Sequence, residues 1–404
     1  MAPLAESTYD VVVVGGGLSG ASAARELARR GRSVLLVDRR TAPRDKVCGC
    51  CLNQAALAQL EAVGLGKLPA KLGAIPLTRL RLLRGAREVR VQLPRGVAVS
   101  RRALDAALLE SARQAGAEVR EGVGGRVLPR LGSGQGRFDE FGEHRVRLSD
   151  GRVVAAKVVV VADGLGGTSL KDWPTMSVRV EAASRIGLGG VTASAVADPQ
   201  IVPGQIEMVC GRGGYLGAVC LEDGRVDFAA ACDAQLLKQA GGVRQAVGRL
   251  AEQASASSDW PVAAVEDWRA TPTLTRRRSR LAEAGLFVVG DAAGYVEPFT
   301  GEGMAWALGS GVAVAPLADV AVEKATPQLA EAWEQTYRRR IARRQLGCRV
   351  VSQVLRRPRL VSAGLWGLSR WPGGGLPIIR RLTAPPRTGS AWRGGWRDVT
   401  GPAA

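Results

Sequence analysis

The chain has 404 residues, 46% apolar and 23% charged, with seven cysteines, one histidine and a formal net charge of +19. That balance excludes a disordered chain and a small disulfide-stapled domain, and the length allows two or three domains with a sizeable core. The odd cysteine count, and a MAPLAESTYD start without a basic or apolar leader, point to reduced thiols and a cytoplasmic protein.

The first predicted unit is YDVVVVGGGLSGASAARELARRGRSVLLVDRR, residues 9–40. A β-branched run meets a glycine cluster, then a helical pattern, then a second strand that ends on Asp38 and Arg39. Gly15, Gly17 and Gly20 have G-x-G-x-x-G spacing, which suits a tight turn, close approach of a pyrophosphate, and close helix–strand packing. Leu18 and Ser19 open the helix, whose unpaired N–H groups attract phosphate. An acid at the end of the second strand suits ribose hydroxyls. The unit predicts a dinucleotide site.

PRDKVCGCCL follows at 43–52. As a metal site, Cys48, Cys50 and Cys51 lack a second pair and a nearby histidine, and their spacing is too tight for a relaxed disulfide. Cys50 and Cys51 are expected to pack. Cys48, beside Gly49, either packs or lines the cofactor pocket. Strands are expected near 75–98, then a strand–helix–strand over 97–122 that carries Arg101 four residues before Asp105. After a Gly-rich stretch, an apolar strand stops on Asp163 and Gly164. The lone histidine, His144, falls in a polar hairpin and is expected at the surface, which removes Ser-His, Cys-His and His–metal chemistry.

Residues 175–275 read as short strands and turns, among them two strands joined at Asp223-Gly224. Tyr215 lies there behind two glycines. The apolar strand LFVV then runs into GDAAGYVEPFTGEGM, residues 290–304. Gly290 and Asp291 form a third acid-plus-glycine turn after a strand, and Pro298 presets the next one. Gly301, Gly303 and Met304 open a helix whose positive end suits an anionic flavin edge; Glu302 is expected to point away from it. Three such turns suit a dinucleotide with a long ribityl chain. The apolar run over 304–322 is broken by Gly309, Gly311, Pro316 and Asp319, which argues against a transmembrane helix.

From residue 323 onward, 16 Lys and Arg face 4 Asp and Glu, and five of the nine tryptophans occur there: Trp333, Trp366, Trp371, Trp392 and Trp396. Tryptophan with arginine favours a lipid–water interface, here an anionic membrane; a plain solvated surface is the alternative. No nucleic-acid-binding module is visible, so nucleic acid is not an expected partner.

GGGLSG, PRDKVCG, SRRALD, VVVADG and GDAAGYVEPFTGEGM together resemble the FAD-dependent oxidoreductases of the aromatic-hydroxylase fold, and within them the geranylgeranyl reductase-like branch. The resemblance covers residues 11 to about 310. It implies an α/β architecture: a Rossmann-like FAD-binding domain (1–174 and 276–322), an inserted antiparallel-sheet substrate domain (175–275, with strands near 75–98) and a basic helical C-terminal region (323–404). It places Arg101 near the FAD, and Cys48 and Tyr215 near the reactive ring as candidate catalytic residues, with packing as the alternative for each.

The reaction implied is hydride transfer between flavin N5 and a hydrophobic prenyl- or lipid-like substrate, with NADPH or NADH as a transiently docked donor. No metal is required. One alternative is a monooxygenase of the same fold. Another is a flavoprotein with structural FAD whose basic tail binds nucleic acid or a partner. The departure from the branch is Leu216-Gly217-Ala218-Val219 after Tyr215, where aromatics are usual. Under any of these the protein would be cytoplasmic, with a peripheral position at the inner face of the membrane in the first.

Overall fold

The architecture comes from a computed structural model, which describes residues 7–129, 143–197, 201–255, 259–297, 299, 301–371 and 374–384. The first unit forms as its pattern dictates: strand β1 (Thr8–Val14), helix α1 (Leu18–Ala28) and strand β2 (Val34–Asp38), with β1 and β2 parallel and paired Val11 to Val34. Both strands are near-continuous aliphatic runs because both faces of this sheet are covered. The parallel core runs Leu286–Val288, Val153–Val161, β1, β2, Glu118–Glu121. All three predicted turns therefore leave the carboxyl ends of neighbouring parallel strands, where an open α/β sheet binds ligands.

A second eight-stranded sheet takes strands from two stretches of chain: Cys51–Asn53, Ile75–Arg84 and Arg87–Ala98, then Ile186–Val191, Gln205–Gly211, Gly214–Cys220, Val226–Cys232 and Arg269–Thr273. It is antiparallel apart from one parallel seam, where Gln205–Gly211 lies beside Ile75–Arg84. The Gly224 turn at φ 78° closes the hairpin between Gly214–Cys220 and Val226–Cys232. One face packs on Leu216, Phe228, Trp260 and the helix Val243–Ala251. The other face turns toward the parallel sheet, and the space between them is the cleft described below.

The apolar run after Gly303 is a 21-residue helix, Gly303–Glu323, long and apolar enough to cross a membrane but mostly buried inside the protein, against α1 and the helix Gln54–Ala62. At Gly311 a Cβ would lie 2.1 Å from the Ser19 carbonyl oxygen, so the two helices touch at backbone distance.

Two expectations fail. His144 is buried, with Nε2 3.0 Å from the Ala284 carbonyl, because the alternation of strand His144–Leu148 turns residues 144, 146 and 148 inward. Trp333 does not belong to a surface: it is fully buried on helix Pro327–Tyr337 and donates from Nε1 to the Val288 carbonyl at 3.0 Å. The C-terminal region therefore begins as part of the core. Only further on, over helices Arg343–Leu355 and Pro358–Arg370, do Leu346, Val350, Trp366 (56% exposed) and Trp371 (76%) reach the surface. Trp392 and Trp396 lie outside the described residues.

Candidate active site

A cleft of about 1390 Å³ runs between the two sheets. At one end stands the glycine turn after β1. Gly15 has φ +109°, and a Cβ there would lie 2.4 Å from the Ala162 carbonyl oxygen, so this turn is closed to other residues. At Gly20 a Cβ would lie 1.8 Å from the Gly15 carbonyl oxygen, which lets α1 sit against its own strand. Gly17, by contrast, faces open cleft, with only Lys46 Nζ at 3.6 Å from its would-be Cβ. It caps α1 without a side-chain hydrogen bond, leaving the first-turn amides open to the cleft beside Leu18 and Ser19. Asp38 holds the loop: its carboxylate accepts from the Gly16 and Arg40 amides and from Arg44.

The three acid-plus-glycine turns border one cleft. Arg39, Asp163, Gly164, Asp291, Gly301, Gly303 and Met304 all line the cleft, as do Cys48, Gly49, Arg101 and Tyr215. Gly20 and Gly290 support it from behind; Gly290 crowds against Ser19 and donates its amide to Ser310 Oγ at 2.8 Å. Pro298 lies outside the described residues. Glu302 is turned from the cleft, 1% exposed, accepting from Asn53 Nδ2 at 2.9 Å.

Sequence reasoning placed Arg101 and Cys48 near the cofactor without connecting them. In the fold they belong to one charge cluster. Arg101 makes two bonds to Asp105, at 2.8 and 3.0 Å, and Lys46 pairs with the same carboxylate. Burial works to raise the Asp105 pKa, yet Arg101 and Lys46 hold it at about 2. A hydrogen bond with Cys50, then the Arg101 charge, lower the Cys48 pKa against its burial. Burial raises Asp291 to about 6. Tyr215 packs edge-to-face on Phe299, with rings 5.1 Å apart and Arg185 over its face. Burial, then the nearby Glu297, push its phenol well above the ordinary tyrosine value.

The second sheet offers this cleft an apolar floor of Met208, Gly217, Val219, Ala229 and Ala231, broken by one carboxyl, Asp227. Asp227 was not singled out from sequence. It lies in an alternating strand, and nothing local marks which of its faces will border the cleft. Among the described residues no cluster of three or more His, Cys, Asp or Glu side chains could hold a metal ion.

A cleft at the carboxyl ends of a parallel sheet, with a glycine turn bare of side chains at one end and an apolar floor at the other, defines a flavin dinucleotide enzyme. The buried Asp163 Oδ1, without a hydrogen-bond partner among the described residues, and the open space at Gly17 fit FAD on this chain's own atoms. Residues 8–346 match the FAD binding domain family, and the chain belongs to it. It is an FAD-dependent oxidoreductase. It is 29% identical to a menaquinone reductase of Mycobacterium tuberculosis, over 78% of this chain and 77% of that protein. It is 28% identical to digeranylgeranylglycerophospholipid reductase 2 of Methanothermobacter thermautotrophicus, over 73% and 74% of the two chains. Among solved structures, a geranylgeranyl bacteriochlorophyll reductase-like protein from Thermoplasma acidophilum shares the fold with TM-score 0.70 at 19% identity, covering 98% of this chain and all of that one.

Proposed function

We propose that this flavoenzyme is a reductase whose acceptor is a hydrophobic quinone- or prenyl-type molecule, with NADPH or NADH docking transiently as reductant. The observation that carries the reading is the apolar floor of the second sheet, facing the same cleft as the glycine turns. An apolar acceptor gains from leaving water for such a surface, and little in the floor competes for it. The two reductases of similar sequence carry quinone and prenyl-lipid names.

In this reading Gly15, Gly17, Leu18, Ser19 and the α1 amides hold the pyrophosphate and Asp38 the ribose. Asp163 and Asp291 meet the hydroxyls further along, and Gly301, Gly303 and the following helix hold the ring's pyrimidine edge. FAD, when bound, supplies hydride chemistry. The protein supplies position, dryness and charge, with the Arg101–Asp105–Lys46 cluster as the fixed positive edge of the cleft. Tyr215 orients the acceptor by its ring; its raised pKa keeps the phenol neutral.

The basic C-terminal helices complete the proposal by holding the enzyme on an anionic membrane, where such acceptors reside. Trp366 and Trp371 stand out from helices rich in arginine, and Trp371 also borders the cleft. Anaerobic reduction of the flavin followed by rapid mixing separates the readings. Prompt reoxidation by a prenylated quinone, with slow, featureless reoxidation by oxygen, supports the reductase. A transient absorbance of the oxygen-adduct type would make the enzyme a monooxygenase instead. Flotation with anionic but not neutral liposomes, lost in Trp366→Ser/Trp371→Ser, tests the membrane part.

A further inference from the structure

Asp227 is an anomaly in the floor of the cleft. Its strand, Val226–Cys232, turns residues 227, 229 and 231 toward the cavity, and the other two are alanines. Its direct neighbours across the sheet are Val219 on one side and Val191 on the other. The side chain is 2% exposed, and Oδ2 has no hydrogen-bond partner among the described residues. A buried carboxyl without a full set of partners costs stability, so its retention on an aliphatic face asks for a ligand.

The loop carrying Cys48 lies directly over this strand. A Cβ at Gly49 would be 4.0 Å from the Ala229 Cβ, and Val47 packs on Gly189, the sheet neighbour of Ala229. The titratable and charged groups around Asp227 are Cys48 and Cys50 from the loop, Cys51 at the start of the strand that follows it, Asp45 further back, and Arg225 just before its own strand. Burial, then the charge of Cys48, raise the Asp227 pKa well above the ordinary aspartate value, and Cys50 and then Arg225 lower it only in part. The carboxyl therefore holds its proton, a hydrogen-bond donor set among the apolar Val219, Ala229 and Ala231 of the floor.

We propose that Asp227 recognises a carbonyl oxygen on the acceptor and gives it a proton, so that the acceptor is a quinone-like ring rather than a plain hydrocarbon alkene. This rests on the reductase reading above. A hydrocarbon would leave the Asp227 donor unpaired in a dry site, whereas a carbonyl satisfies it. The step balances. With FAD bound and reduced, the quinone would take a hydride, with its two electrons, at one carbonyl oxygen and a proton from Asp227 at the other. The Asp227 O–H bond breaks as the new O–H bond forms, the quinone becomes a hydroquinone, and the flavin is left oxidised. The carboxylate recovers its proton from water.

The test uses FAD-saturated enzyme, duroquinone and its hydrocarbon counterpart durene. Infrared difference spectra of the oxidised enzyme should show a protonated-carboxyl band that shifts when duroquinone binds and is missing in Asp227→Asn. That variant keeps a donor but has no acidic proton. Its duroquinone affinity should stay within about threefold of wild type, while kcat falls about 100-fold or more. Asp227→Val matches its sheet neighbours and removes the donor. It should weaken duroquinone about tenfold and leave durene unchanged. An Asp227→Asn enzyme with kcat within about threefold of wild type would overturn the proposal, as would equal effects of Asp227→Val on both ligands. Enzyme that never reduces duroquinone, while Asp227→Val still weakens duroquinone and not durene, would overturn the reductase reading and the proton transfer and uphold Asp227 only as the group that recognises the carbonyl.

Discussion

Glu302 precedes the Gly303–Glu323 helix with its side chain turned inward, and its chemistry makes a quantitative prediction. One oxygen, Oε1, accepts from Asn53 Nδ2, while Oε2 is buried without a hydrogen-bond partner among the described residues. Burial raises its pKa from 4.5 to about 8, and the charge of Arg344 lowers it only in part. The folded state therefore holds a proton that the unfolded state releases. With the folded pKa above the unfolded one, the contribution to stability is full below pH 4.5, declines as pH rises, and levels off above about 8. Glu302→Gln reproduces the protonated acid, with an acceptor for Asn53 and a donor at the second position. The stability difference in favour of glutamine should grow by about 2.5 kcal/mol between pH 6 and pH 9, at roughly 1.4 kcal/mol per pH unit before it saturates. Urea unfolding of the two FAD-saturated proteins, followed by tryptophan fluorescence at each pH, measures it. A difference that stays flat over that range would refute a protonated Glu302.

Three further outcomes are expected. Gly20→Ala would drive a methyl group into the Gly15 carbonyl oxygen, so the purified protein should lose its flavin absorbance; normal flavin content would mean that the turn yields. At pH 6.5 iodoacetamide should label Cys48 ahead of Cys50 and Cys51. Hydrogen bonding to Cys48 and burial raise Cys50, and burial raises Cys51; Arg101→Ala should slow the Cys48 reaction, and equal labelling of the three by peptide mapping would contradict the cluster. Trp333→Ala should destabilise the protein by about 3 to 5 kcal/mol, visible as a lower Tm, because it empties a fully buried site and strips the Val288 carbonyl of its donor. A Tm unchanged from wild type would return that helix to the surface.

The sequence by itself determined the nucleotide half. Strand, glycine turn, helix and strand at 9–40 follow from local rules: β-branched runs, glycine where only glycine fits, and an acid at a strand end. Three such turns in one chain could be read as one extended ligand before any contact was known. Its limits show at residues whose meaning is set by partners far along the chain. His144 looked polar and proved buried, because strand alternation and the neighbouring Val153–Val161 strand decide which way it faces. Trp333 was grouped with a basic surface by composition, yet packs on a strand 45 residues earlier. Lys46, Cys48 and Arg101 form one electrostatic unit only because the loop at 43–50 folds over the start of the Arg101–Gln114 helix. Asp227 belongs to the same class. Within GRVDFAAAC nothing distinguishes it, and only the placement of that loop over this strand makes its face the floor of a cleft. Local propensity writes the elements, but burial and proton affinity are properties of what surrounds a side chain, and those surroundings come from tertiary structure.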